Sequence, residues 1–192
     1  MVRQDLACLI AYASLTVLTV AGCGTSDGPL ASPAPTTSSF EPTSGHIEEE
    51  VGRPIGLFCV PHGTIDTCDI KFTVTAIRQV DPSNCGAADG FAGGFAAIDV
   101  NVMTRGTFSQ PEVGSALGWE RWSYVDDRSS IVSKPELAPE CTDNRNAEIF
   151  NGDLPRDATV EATLVLKTPN GIRSVRVDSP RNPYGYEWEA SR

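Results

Sequence analysis

Residues 70–80 (IKFTVTAIRQV) place Ile70, Phe72, Val74 and Ala76 on one side and Lys71, Thr73 and Thr75 on the other. The same period of two recurs at Ala96, Ile98, Val100 and Val102 against Ala97, Asp99 and Asn101. It appears again at Val160, Ala162, Leu164 and Leu166 against Thr159, Glu161, Thr163 and Lys167. Successive side chains of an extended chain point to opposite faces, so each segment reads as a half-buried strand. No amphipathic run of helical length competes with them. Shorter candidates lie at residues 55–60, 119–125 and 184–189, separated by clusters of Pro, Gly, Asp and Asn. Fourteen prolines and seventeen glycines supply the turns that such a chain needs. About seven to eight short strands across residues 46–192 predict an all-β antiparallel sandwich, two sheets packed face to face.

Local chemistry refines this. In residues 168–171 (TPNG), Pro169 presets φ while Asn170 and Gly171 tolerate left-handed geometry, which predicts a tight turn with residues 172–177 returning as a hairpin partner. Residues 126–129 (DDRS) read as a second hairpin turn. Trp122, Tyr124, Phe150 and Trp188 are assigned to the space between the sheets. Residues 90–95 (GFAGGF) are either a mobile loop or a place where backbones approach closely.

The amino terminus obeys different rules. Arg3 precedes an uncharged apolar run over residues 6–20, shorter than the roughly 20 residues that a membrane-crossing helix needs and followed by no basic stop-transfer cluster. Residues 1–22 therefore read as a secretory signal peptide. Its end, Val20-Ala21-Gly22-Cys23, resembles the lipobox of bacterial lipoproteins. That resemblance implies that the Cys23 thiol is alkylated by a diacylglycerol and that small residues at 21 and 22 admit the peptidase. One acyl chain holds a protein only marginally, at about 0.8 kcal/mol per buried CH₂, whereas two or three on one residue anchor it. Residues 23–45 then form a lipidated cysteine and a tether rich in Ser, Thr, Pro and Gly. Its reach is about 25 Å as a coil and about 70 Å when stretched. The cluster at residues 36–39 (TTSS) offers sites for sugars, with a bare solvated linker the simpler reading. Glu48 to Glu50 read as a solvated edge.

Of six cysteines, Cys8 leaves with the signal peptide and Cys23 carries lipid. Cys59, Cys68, Cys85 and Cys141 remain, and four cysteines allow three pairings. Thiols oxidise outside the membrane; we favour Cys59–Cys68 and Cys85–Cys141, because the first pair flanks a short loop of turn formers. Cys59, His62 and Cys68 loosely match a zinc-ligand spacing, yet paired cysteines are the commoner outcome in an oxidising compartment, so no metal is assigned.

Residues 95–102 (FAAIDVNV), 122–127 (WSYVDD) and 153–169 (DLPRDATVEATLVLKTP) resemble the telokin-like, immunoglobulin-like domain of bacterial, specifically actinobacterial, envelope lipoproteins and secreted antigens. Arg156 and Ala162 stand where that family commonly has glycine. The resemblance implies an immunoglobulin-like sandwich displayed on the cell surface, with no shared catalytic residues to carry over.

Chemistry beyond binding finds no constellation in the chain. Asp and Glu outnumber Lys and Arg by 25 to 15, and a net charge of −10 repels phosphate backbones, so nucleic acid is not an expected partner. There is no G-x-S-x-G elbow, and only His62 lies near the apolar segments. Asp126 and Asp127 are adjacent, so their side chains diverge and do not make an acid–base pair. Residues 143–146 (DNRN) lack the glycine and distal glutamate of a calcium loop. The expectation is a non-enzymatic module, without cofactor or metal, held to the membrane by its N-terminal lipid. It would engage an unidentified envelope or external protein. The alternative is a carrier of a small apolar or envelope-derived ligand, with Phe91 and Phe95 as a lid.

Overall fold

The computed structural model describes residues 45–86, 91, 93–106, 108 and 111–191. All of them belong to the unit Phe40–Arg192. The signal peptide, Cys8, Cys23, the tether before Gly45 and Gly90 lie outside the described residues.

The described chain is all-β, with nine strands and short 3-10 turns. The strands are β1 (Gly45–Glu48), β2 (Ile55–Cys59), β3 (Cys68–Val80), β4 (Gly94–Thr104), β5 (Trp122–Val125), β6 (Ile131–Ser133), β7 (Thr159–Thr168), β8 (Ser174–Asp178) and β9 (Tyr184–Glu189). One sheet runs β2-β3-β4-β7 and the other β1-β9-β8-β5-β6. All pairs are antiparallel except β1 with β9, which run parallel from Gly45 opposite Tyr184 to Glu48 opposite Glu187. Gly45, which composition places in the tether, opens β1, and the first of the three glutamates closes it.

Alternation sets the layers. Phe72, Val74, Ile98, Val100, Leu164 and Leu166 from the first sheet bury against Trp122, Tyr124, Val175, Val177, Tyr186 and Trp188 from the second. β3 breaks the pattern at one point: Val74 pairs with Val100 but Ala76 with Asp99, so one extra residue shifts the phase. Ile77 rather than Ala76 therefore continues the core face. Trp119–Arg121 form a 3-10 turn, so β5 starts only at Trp122. Phe150, from the turn Ala147–Asn151, meets Trp122 edge-on at 5.7 Å, and Phe72 meets Trp188 in the same way at 5.7 Å.

The turn at residues 168–171 forms, with the Gly171 N–H donating to the Thr168 carbonyl at 3.0 Å and Gly171 at φ +76°. The hairpin expected from it does not. β7 pairs with β4 and β8 pairs with β5 and β9, so the turn crosses from one sheet to the other. The reason is that the other edge of β7 is already occupied. Ala138 N–H donates to the Val165 carbonyl at 2.9 Å, Lys167 N–H to the Glu136 carbonyl at 2.9 Å, and Arg145 and Thr163 exchange bonds. The same covering segment brings Cys141 to Cys85, to which it is bonded. Both lie with Val80, Phe95, Ala97, Ala138 and Val165 in a second, smaller core distinct from the one between the sheets.

Asp126 joins two turns. Its buried carboxylate accepts the Ser130 N–H at 2.7 Å, the Asn170 amide at 3.2 Å and the Arg128 N–H at 3.0 Å. The Ser130 bond, followed by those from Asn170 and Arg128, holds this carboxyl below the usual carboxylate range despite the opposing effect of desolvation. A carboxyl depressed by folding stabilises the fold above its unfolded pKa, and that contribution is lost as pH falls through the lower folded value. Asp126→Asn is expected to destabilise the domain at neutral pH and to flatten its loss of stability below about pH 4. Chemical denaturation at neutral and acid pH measures both effects.

The two buried tryptophans differ in one bond. The Trp122 indole donates to the Leu117 carbonyl at 3.0 Å, while the Trp188 indole N–H has no acceptor among the described residues. Trp122→Phe is expected to cost about 1–3 kcal/mol more than Trp188→Phe, because it alone leaves a buried carbonyl unsatisfied. Equal denaturation midpoints would contradict this.

Candidate functional site

Cys59 and Cys68 face each other across β2 and β3 and are bonded. Gly56 makes room for the bridge: a Cβ there would come within 2.4 Å of Cys68 Sγ. His62 is exposed, at φ +60°, in the turn closed by the Gly63 N–H donating to the Val60 carbonyl at 2.9 Å. With both thiols in a disulfide, the Cys59, His62 and Cys68 spacing offers no thiolate to a metal. Among the described residues no group of three His, Cys, Asp or Glu is placed to hold one.

The other sequence candidates are structural. Asp143 accepts from Arg78 at 2.9 Å and from Asn84 at 3.0 Å, and Asn144 accepts the Val165 N–H at 3.0 Å. These residues fasten the segment that covers β7. Asp126 is buried in its turn and Asp127 is exposed. Phe95 is buried and packs on Phe91 at 5.2 Å within the smaller core, so the pair covers no opening between the sheets. Of the two readings of residues 90–95, close approach holds at Gly93, where a Cβ would lie 2.7 Å from Pro169 Cα. Tyr186, whose phenol burial, followed by the charges of Tyr184 and Glu49, pushes up to about 12, keeps its proton at neutral pH.

A groove of about 600 Å³ lies where strand ends of both sheets gather. Residues 56–61 of β2 and its exit line it from the four-stranded sheet, and residues 179–182 from the β8–β9 connection of the other. Asp69, Arg105 and Phe108 also contribute. The Arg181 guanidinium stacks over the Phe58 ring at 5.2 Å, and that of Arg156 over Phe108 at 5.2 Å. The Arg105 guanidinium donates to the Asp66 carbonyl, and its N–H donates to the Asp69 carbonyl at 3.0 Å. Asp66 itself pairs with Lys71 at 2.8 Å, the bond that first holds its carboxyl below the usual range.

The arginines of the described residues fall into two groups, and those at the groove share theirs with Arg121, Arg128 and Arg173 elsewhere. Arg53, Arg78, Arg145 and Arg176 each pair with a carboxylate. Arg105, Arg156 and Arg181 have no carboxylate within ion-pair distance among the described residues, although the charge of Arg105 also helps to hold the Asp66 carboxyl low. Sequence reasoning missed this site, because Phe58, Arg105, Phe108 and Arg181 are far apart in the chain and share no spacing. The one local signal is proline-rich and basic, residues 180–183 (PRNP) between two short strands.

No family model matches the chain, and no curated protein matches it, so the telokin-like resemblance has no family-level counterpart. Two solved structures are similar in shape. The secreted Mycobacterium tuberculosis protein MPT63 is 11% identical over 75% of this chain and 97% of its own, with a TM-score of 0.46. A candidate lipoprotein from Staphylococcus aureus is 9% identical over 65% of this chain and 90% of its own, with a TM-score of 0.42. Likeness at this level says nothing of what the groove holds.

Proposed function

We propose that this chain is an extracytoplasmic lipoprotein of the bacterial cell envelope, anchored through Cys23, whose sandwich binds another protein. The observation that carries the reading is the groove: the Arg181 guanidinium, stacked on Phe58 with no carboxylate partner among the described residues, at the surface of a sandwich whose interior is already filled. Trp122, Trp188, Phe72 and Phe150 are each at most 1% exposed between the sheets, which gives a carried apolar ligand no evident place there and favours a surface partner over a cargo. Two disulfides support an oxidising compartment. The apolar run over residues 6–20 and the Val20-Ala21-Gly22-Cys23 motif support export and lipidation. Binding is favoured over catalysis because His62 stands exposed in its turn while His46 is bonded to Asp178 at 3.1 Å, so neither described histidine serves an acid at the groove.

Mass spectrometry of the mature protein is expected to find Cys23 as the acylated first residue, and Cys23→Ser to move the protein from the membrane fraction to the medium. An unmodified Cys23 in membrane-bound protein would overturn the anchor. Cross-linking in intact cells followed by affinity capture is expected to yield one recurrent protein partner. Repeated recovery of the chain alone would remove the interaction reading.

A further inference from the structure

We propose that the groove beside β2 receives an extended acidic segment of the partner, with carboxylates at Arg105 and Arg181 and an apolar side chain against Phe58 and Phe108. This rests on the binding-module reading above and names the chemistry of its site.

Shape is the first argument. Residues 56–61 line the groove consecutively, bending at Phe58 (φ +56°) and turning at Val60, so its wall is elongated along β2 and suits a linear ligand better than a compact one. β2 is the last strand of its sheet, and no backbone bond joins it to anything but β3 among the described residues. Its outer edge from Ile55 to Leu57, ahead of the left-handed Phe58, therefore offers main-chain donors and acceptors to an added strand, whose side chains on one face would meet the groove. The Cys59–Cys68 bridge fixes this edge to β3, so little order remains to be imposed on binding.

Charge is the second. Among the described lining residues Arg105 and Arg181 stand against the one carboxylate of Asp69, with Asp66 beside Arg105 already paired to Lys71, which leaves a positive balance in a chain whose net charge is −10. No existing carboxylate pair has to be broken for Arg181 to accept a new one. Its planar fork matches a carboxylate bidentately, and stacking on Phe58 holds it in place beforehand. Val60, 57% exposed at the strand exit, and the two phenylalanines supply the apolar contact. An anionic membrane presents the same sign of charge, but a bilayer meets the whole acidic surface and is repelled by it, whereas a short segment meets only the groove.

The test uses the full chain in mild detergent and a fluorescein-labelled eight-residue peptide of alternating Glu and Leu, with Gln–Leu and Lys–Leu counterparts. Anisotropy is expected to show saturable binding of the Glu–Leu peptide that weakens as salt rises, and at least about tenfold weaker binding of the other two. Arg181→Glu, on an exposed connection, and Arg105→Gln are each expected to weaken binding about tenfold or more, with the melting temperature of Arg181→Glu unchanged. Arg145→Glu, which changes an arginine outside the groove, is expected to leave it unaltered. Amide exchange is expected to slow at residues 55–59 when the peptide is added. Equal binding of the Lys–Leu peptide, a folded Arg181→Glu variant that binds normally, or retention on phosphatidylglycerol nanodiscs without peptide binding would overturn the proposal. Partner cross-links that persist in cells carrying Arg181→Glu would overturn this site while leaving the binding-module reading intact.

Discussion

Phe72 touches Trp188 edge-on across the gap between the sheets, and Trp122 touches Phe150 in the same manner. Everything else in the sandwich is arranged around these contacts. The rings are too large to be enclosed by one layer, so β3 and β9 must face each other and β5 must face the turn carrying Phe150. Edge-to-face contacts of this kind add about 0.5–1.5 kcal/mol beyond the area they bury. Once those faces are set, the alternating aliphatics of β4 and β7 fall into register without further instruction, because each pairs along its whole length with a neighbour already placed. The groove lies at the margin of the sandwich, outside this packing.

The margins are held by polar bonds and cross-links instead. Arg78 joins Asp99 on β4 and Asp143 on the covering segment, and Asn84 reaches the same Asp143. The Cys85–Cys141 bridge closes the same junction. A covered edge on β7 leaves β2 as the open edge of that sheet, the one beside the groove. The segment that prevents β7 from taking β8 as a partner thus leaves only the β2 side of this sheet for the strand addition proposed above.

How much of this was legible depended on the length of each signal. β3, β4 and β7 were readable because alternation repeats over many residues and only one structure satisfies it. β1 and β6, at four and three residues, carry no period of their own, and β1 exists because β9 offers it a parallel edge. The turn at residues 168–171 was readable as a turn, yet its chemistry could not reveal which sheet would receive the next strand. That was decided by residues 136–145, remote in sequence. The bulge near Thr75 was hidden for a similar reason: Ala76 continues the pattern in the sequence, and the pairing with Asp99 breaks it. The groove was least legible, since its members come from β2, the exit of β4 and the β8–β9 connection, and only folding brings them together.

The parallel pairing of β1 has a mechanical consequence. Gly45 lies opposite Tyr184, and Tyr184 follows the connection whose residues 179–182 line the groove. The chain thus enters the domain beside the groove rather than across the sandwich from it. Tension between an anchored amino terminus and a partner held in the groove would follow a short path through β1 and the start of β9. The aromatic interior would lie outside that line of force. Such a layout separates grip from stability: a tug that peeled β1 away from β9 would lengthen the lead by a few residues and pass next to β2, held to β3 by the Cys59–Cys68 bridge, while the two sheets stayed packed.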